Sequence, residues 1–321
     1  MVDPRRGLAA LRVPLALAQV RPNDRRADRI VNADLFESHR ARLFAIAFRM
    51  TGSRADADEL VSECWLRFTA ADVEALDNVG GWLTTVLVRL AIDLQRSARA
   101  RRETYVGPWL PDPLVTDFES DPSSKSAMAE SVSSAFLLVL EALSPVERAV
   151  LLLHDVFEYE HDEVAAMLDR SPESCRQSLH RAREHLRAKR PKYAADRGRH
   201  LAVLAAFSQA IATGDVETLI ELLAPEVVVV SDSGGRAKAA RNVVEGPDHC
   251  ARLLVGLARK GASAPLARLV ELNGWPALVV DGAHGVETTL VIETDGARVF
   301  SVHTHRNPEK LATLDGASPA R

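Results

Sequence analysis

The chain has 321 residues, 47% of them hydrophobic, a formal net charge of −4 and three cysteines. That length exceeds a single helical domain and implies two or three domains, with apolar content ample for buried cores. The acidic balance excludes a general basic coat for nucleic acid, and the lack of a run of 18 apolar residues excludes a membrane-spanning helix. Cys64, Cys175 and Cys250 lie far apart with no CxxC or Cys/His spacing. They read as the thiols of a reduced, cytoplasmic protein with no metal and no cofactor.

Residues 1–31 are Arg-rich (Arg5, Arg6, Arg12, Arg21, Arg25, Arg26, Arg29) around the short apolar run Val13–Val20. Arginine continues past that run and the small-residue cleavage site of a signal peptide is unconvincing, so a disordered basic arm is expected. Residues 32–103 read as helices. Leu35, Phe36, Leu43, Phe44, Ala47 and Met50 form one apolar stripe, ended by Thr51-Gly52-Ser53. Ser53 or Asp56 caps a second helix with the stripe Leu60, Val61, Cys64, Trp65 and Phe68 and an acidic opposite face. A third helix buries Trp82, Leu83, Val86, Leu87, Leu90, Ala91 and Leu94 and ends in the basic cluster Arg96, Arg99, Arg101 and Arg102.

Residues 104–126 are rich in Pro, Asp and Ser and read as an extended linker. Trp109 is unusual there, since a bare indole in water is costly, and it is expected to dock. Helices resume over 127–195. Ser144-Pro145-Val146-Glu147 is a helix start, with cap, first-turn proline and a glutamate completing a capping box. A short helix over His161–Leu168, the turn Asp169-Arg170-Ser171 and a basic helix from Pro172 outline a helix-turn-helix. In that last helix Cys175, Leu179, Ala182 and Leu186 share one face, leaving Arg176, Gln177, His180, Arg181 and Arg183 outside. Residues 172–192 carry seven Arg/Lys against Glu173 and Glu184, so the basic charge is local. A solvated surface helix has the same composition; the paired helix and turn favour DNA.

Residues 198–315 change character. Helices over 201–212 and 216–223 lead into a strand at 227–230, the loop Asp232–Arg236 and a helix over 247–258. Strand-like segments then recur between Asn273-Gly274, Asp281-Gly282 and Asp295-Gly296 turns. The reading is an α+β cone: a curved antiparallel meander around helices, with a pocket between them.

Asp56–Arg67 and Gly81–Asp93 resemble the region 2 helices of bacterial extracytoplasmic-function sigma factors, of the sigma-70 family. Leu143–Leu152 and Ser178–Arg183 resemble region 4 of the same family. Tyr105–Pro113, Asp232-Ser233-Gly234-Gly235-Arg236 and Asn307-Pro308-Glu309-Lys310-Leu311 resemble the motifs of the subgroup carrying a SnoaL-like C-terminal extension. In that subgroup a lysine follows the glycines; here Arg236 stands in its place. The fold implied is multidomain: all-α region 2 and helix-turn-helix region 4, then an α+β SnoaL-like domain.

The resemblance implies a non-enzymatic promoter-specificity factor with no catalytic residues, bound to core RNA polymerase at its clamp coiled coil and flap, and to promoter DNA. Asp56, Asp58, Glu59, Leu60, Val61 and Glu63 are the implied polymerase contacts. Asn78, Trp82, Arg89, Asp93, Arg96 and Arg99 are implied at the −10 element, where unpaired bases need stacking surfaces and a basic track; Trp82 reads equally as core. At the −35 element, Arg176 and Gln177 lead as base readers, with Ser174 and His180 behind them and Arg181, Arg183 and Arg187 on phosphates. Trp109, Pro111, Asp232, Gly234, Gly235, Arg236, Asn307, Pro308 and Lys310 form the implied regulatory interface, through which the extension contacts the sigma domains and the linker and tunes polymerase binding. A small ligand in the C-terminal pocket is an intermediate option. His303 and His305 alternate on a strand and, with Asp232, His249 or His284, are the residues an acid/base or metal site would use. The alternative overall reading is a DNA-binding regulator fused to a sensor or enzyme domain.

Overall fold

The computed structural model describes residues 25–103, 105–116, 133–189, 196–260, 266–282 and 285–314. They fall into two compact units, one from the described parts of Met1–Ser97 and Leu143–Glu184, the other from those of Ala98–Ala142 and His185–Arg321.

The first unit is helical. Helix α1 spans Arg25–Thr51, α2 Arg54–Thr69 and α3 Val79–Glu103, with a 3-10 turn at Val73–Ala75. Helix α1 thus starts at Arg25, inside the segment expected to be a disordered arm; residues 1–24 lie outside the described residues. It stops at Gly52, whose φ of +67° a side chain would resist. Ser53 then caps α2, its hydroxyl accepting from the Asp56 amide at 3.3 Å. Phe36, Leu43, Ile46 and Met50 pack with Leu60, Val61, Cys64 and Phe68 and with Leu83 and Leu87 as a buried core.

Short α4 (Ser134–Glu141) falls with the second unit. Next come α5 (Pro145–Leu151), a π-helical turn (Leu152–Val156), α6 (His161–Leu168) and α7 (Pro172–Lys189). The capping box at Ser144 and Glu147 is formed, and Asp169, at φ +53°, ends α6 and turns the chain into α7.

The sequence suggests two independent helical domains, yet α1–α3 and α5–α7 share one unit. The Met50 carbonyl at the C-terminal end of α1 accepts from Gln95 Nε2 at 2.6 Å and from Arg148 Nη1. Arg148 is only 3% exposed, and burial lowers its pKa to about 9, which leaves it protonated at neutral pH. The Arg42 and Arg49 guanidiniums lie 5.6 and 5.5 Å from the Phe157 ring centre.

In the second unit, α8 (Arg197–Thr213), α9 (Val216–Leu222) and α10 (Pro247–Lys260) accompany one six-stranded sheet. Its strands are β1 (Leu223–Asp232), β2 (Val244–Glu245), β3 (Leu266–Leu272), β4 (Trp275–Gly282), β5 (Gly285–Thr294) and β6 (Val299–His305), in the order β2-β1-β6-β5-β4-β3. Strands β3 to β6 form the expected antiparallel meander. However, β1 pairs with β6 in parallel, which the long connection through α10 allows. Asn273 and Gly274, both at positive φ, make the β3–β4 turn.

One sheet face is filled by Val227, Val229, Ile292, Val299 and Val302 packed on Val203, Phe207, Leu219, Cys250 and Leu254 of the helices. The expected sheet–helix pocket is therefore occupied here by apolar side chains. The other face carries Asp232, Thr289, Glu293, Ser301, His303 and His305. A short helix α11 (Pro308–Leu311) and Leu314 pack there on Val270, Val279 and Val291.

Candidate nucleic-acid and partner interfaces

Helix α7 seats Cys175, Leu179 and Ala182 in the core and turns Arg176, Gln177, His180, Arg181 and Arg183 outward. Ser171 caps it, accepting from the Ser174 amide at 3.2 Å, so Ser174 is half-buried in the first turn. Glu173, Arg176, Gln177, His180 and Arg181 line a shallow open groove. Arg181 Nε donates to Glu147 at 2.8 Å, and Arg183 grips both oxygens of Asp155 at 3.0 and 2.6 Å. Burial raises the Glu147 carboxyl, but hydrogen bonds from Ser144 and Arg181 outweigh that and hold it below the ordinary carboxylate range. These two pairs fix how α7 sits on α5 and the π-helical turn, which sequence spacing did not reveal. Arg187 is exposed farther along.

On α2, Asp58 and Glu59 are exposed, Glu63 is half-buried and paired with Arg67 at 2.9 Å, and Asp56 is half-buried in the first turn. Leu60 and Val61 were expected to extend the partner contact. They are 5% and 1% exposed and belong to the core, because they sit on the same face as Cys64 and Phe68. The apolar group on the acidic face is Leu66, 61% exposed, seven residues after Glu59 and so on the same side of the helix.

On α3, Asn78 caps the helix, its Oδ1 accepting from the Gly81 amide at 2.9 Å. Trp82 is half-buried, its ring 6.2 Å from that of Phe68, so it packs on the core while keeping an accessible side. Asp93 and Arg96 are exposed and paired at 3.2 Å. The side chain of Arg99 lies outside the described residues. Arg89 is committed elsewhere: its Nε donates to the Met167 carbonyl at 2.8 Å and its Nη2 faces Ala166 O at 3.5 Å, closing the C-terminal end of α6. Thr84 Oγ1 and Tyr159 Oη are 3.1 Å apart beside it.

In the second unit, linker residues 105–116 are clasped on the polar face of the sheet. Asp232, fully buried, accepts from Tyr105 Oη at 2.5 Å and the Leu110 amide at 2.9 Å. Lys310 Nζ sits between Asp232 at 3.0 Å and Asp112 at 3.1 Å, and 4.5 Å from the Trp109 ring centre. It also donates to the Leu110 carbonyl. Asn307 caps α11, which begins at Pro308, and donates to Tyr105 Oη at 3.0 Å. A Cβ on Gly234 (φ +57°) would lie 2.7 Å from Asn307 Nδ2, and one on Gly235 3.0 Å from Val106. Arg236 reaches Glu309 at 2.8 Å. Farther on, the Leu114 amide donates to Asn273 Oδ1 at 2.8 Å, and the linker bridges to the sheet at Val115–Leu272. All nine residues of the expected regulatory interface thus gather on or beside the linker.

His305 completes the clasp. Burial pushes its pKa down to about 4. The neutral ring then donates from Nε2 to the Pro111 carbonyl and accepts from Thr289 at Nδ1, each at 2.8 Å. His303 shares that face, bonded to Ser301 at 2.7 Å, with Glu293 at 3.7 Å from its Nδ1. Both histidines therefore face away from the helices rather than into a sheet–helix pocket. His249 is exposed on α10, and His284 lies outside the described residues. Among the described residues no three His, Cys, Asp or Glu side chains gather as a metal site, and no helix is long and apolar enough to cross a membrane. Tyr105, Asp112, Gln95 and Arg148 were missing from the expected site residues, and His305 was expected in an acid/base or metal role, not in the clasp. The first two stood in the linker motif, while buried Arg148 has no local signature.

Comparison with known proteins matches Sigma-70 region 2 to residues 35–101 and Sigma-70 region 4 to residues 133–186. The chain is 36% identical, over 86% of its length and 92% of the relative's, to the ECF RNA polymerase sigma factor SigJ of Mycobacterium tuberculosis. It is 30% identical, over 87% of its length and 94% of the relative's, to the probable ECF RNA polymerase sigma factor SigI of the same organism. The crystal structure of M. tuberculosis SigJ superposes with a TM-score of 0.70 at 33% identity, covering 87% of this chain and 98% of that one.

Proposed function

This chain belongs to the extracytoplasmic-function RNA polymerase sigma factors, and we propose that it recruits core RNA polymerase through the acidic face of α2 and reads promoters with α3 and α7. The observation that carries this is the joint placement of an acidic, partly apolar outer face on α2 and a basic outer face on α7 in one chain. On α2 the contact set becomes Asp56, Asp58, Glu59, Glu63 and Leu66, since Leu60 and Val61 are buried. On α7, Arg176 and Gln177 read base edges in the major groove, and Arg181, Arg183 and Arg187 lie toward phosphates. Trp82 offers its open side to unpaired bases of the −10 element, with Arg96 on the backbone. The chain itself performs no chemistry in this role.

The packing of the first unit adds a condition. The −10 and −35 elements are roughly 25 base pairs apart, about 85 Å at roughly 3.4 Å per base pair. Arg89 on α3 cannot hold the end of α6 and serve the −10 element while α7 occupies the −35 element. The free chain therefore keeps its two readers together, and engagement of polymerase and promoter separates them. The clasped linker, which joins the two readers in sequence, supports a tuning role for the C-terminal unit.

Run-off transcription by core polymerase reconstituted with the full chain, on a promoter library, tests this reading. Initiation on a defined subset of promoters is expected. DNA binding without initiation would make the chain a conventional DNA-binding regulator. In the same assay Trp109→Ala, which loosens the clasp, is expected to change transcript yield, and the sign of the change identifies the extension as activating or inhibiting.

A further inference from the structure

The helix-turn-helix carries a pair of histidines that none of the interfaces above uses. His154 stands in the π-helical turn, and His161 is the first residue of α6. Their rings stack, with centres 4.2 Å apart and planes 25° from parallel. His154 Nδ1 donates to Asp155 Oδ1 at 2.8 Å. His161 Nδ1 is buried and meets no hydrogen-bond partner among the described residues. The neutral ring therefore carries its proton on Nε2. A second proton must go to Nδ1, where it would be buried without an acceptor.

The charges around the pair also oppose that proton. Arg176 and Arg183 of α7 act on His161 together with His154, and the positive end of α6 lies at its own backbone. Against them stand Glu160 at the cap of α6, whose effect is smaller, and Asp155, already gripped by Arg183 at 3.0 and 2.6 Å. The other charged groups of the elements packed here are engaged elsewhere. Glu163 closes the α6 capping box, Glu173 lies 3.4 Å from Arg176, Glu147 holds Arg181, Arg148 reaches Met50, and Arg42 and Arg49 lie over Phe157. Burial first, and then these cations, hold His161 below its ordinary 6.5.

We propose that His154 and His161 form an acid-released latch on the helix-turn-helix: the rings stay stacked while both are neutral, and a proton on His161 drives that ring into water and frees the first turn of α6. The other end of α6 is fastened separately, by Arg89 on the Met167 carbonyl. Burial raises the Asp155 carboxyl, but hydrogen bonds from Arg183 and His154 outweigh that and keep it ionised, so α7 stays on the π-helical turn. Acid thus loosens the support of the reading helix without detaching it. The latch is fully shut above pH 6.5, the ordinary value of a freed ring, and opens as pH falls below it. Its consequence for promoters rests on the reading above that α7 binds the −35 element; the latch itself does not.

The test follows amide hydrogen exchange in the full chain, corrected for intrinsic rates, from about pH 7.5 to about 5. Below pH 6.5 the opening of the first turn of α6 should rise by up to about tenfold per pH unit, in step with the His161 ring titration followed by NMR. His161→Phe keeps a ring in the stack but takes no proton, and should leave exchange there flat. Reading exchange residue by residue separates this from His200, His303 and His305, which respond to acid in the second unit. Protection of α6 that acid leaves unchanged in wild type, or that falls equally in His161→Phe, overturns the latch. If that variant does not fold, a loss of α6 protection that tracks another histidine's titration does the same. Promoter binding is followed at the same pH values; the wild type should lose −35-dependent binding in acid and His161→Phe should keep it. Binding that never depends on the −35 sequence overturns the −35 reading and leaves the latch standing.

Discussion

Both units fasten together segments distant in sequence, but with different chemistry. In the first, arginines reach backbone carbonyls and aromatic faces: Arg148 to Met50, Arg89 to Met167, and Arg42 and Arg49 against Phe157. In the second, Lys310 is held between Asp112 and fully buried Asp232. When an arginine leaves a carbonyl, it regains water and leaves no charge behind. When Lys310 leaves Asp232, a carboxylate stays buried without its cation, at far greater cost. The difference suits the first junction to open during function and the second to persist.

The largest expected effect follows from removing the buried cation. Lys310→Met should destabilise the second unit by about 3–5 kcal/mol in denaturant unfolding. Adding Asp232→Asn should recover much of that loss; no recovery would mean that the charges are not what closes the clasp. Next comes pH. His305 is pushed down to about 4 when folded, against an ordinary 6.5, so the unfolded chain binds more protons between those values. The stabilisation is full above pH 6.5 and is lost as pH falls toward 4, by up to roughly 1.4 kcal/mol per pH unit. A His305→Gln variant followed by thermal unfolding across that window should show a shallower slope, the remainder coming from His303 and His200, whose pKa values burial also lowers.

Arg148→Met belongs to the openable junction and should cost about 1.5–3 kcal/mol, the range of a hydrogen bond from a charged group. It should also raise promoter binding by the free chain, because it weakens the closed form. A drop in both stability and promoter binding would count against the contrast. The smallest effect is expected at Thr84→Val, which removes one hydroxyl contact with Tyr159 and should cost about 0.5–1.5 kcal/mol.

Local punctuation was the most legible part of the sequence. Ser144 and Glu147 spell out their capping box, Asn273-Gly274 its hairpin turn, and the 3.6-residue stripe of α7 its buried side. Such features are set by neighbours a few residues away. Periodicity already places Leu60 and Val61 on the apolar stripe with Cys64 and Phe68, and their burial sides with it against the partner contact that the family resemblance implied. Position 66, two turns on from Glu59, marks the exposed apolar residue. The alternation of His303 and His305 correctly puts both on one face. It does not say which face, because that depends on where α8–α10 pack. The resemblance implies Arg89 at the −10 element, and its attachment to Met167, 78 residues on, is visible only in three dimensions.

The most direct measurement is the distance between the two readers in solution. Cys64, Cys175 and Cys250 are buried, so dyes can be attached selectively to cysteines introduced at exposed Glu74 and Arg170. Energy transfer between them would then be recorded for the free chain and for the full promoter complex with polymerase. A single short distance in the free chain, lengthening by several tens of Å in the complex, is the expected result. The same distance in both states would contradict a closed unit that opens to read its promoter.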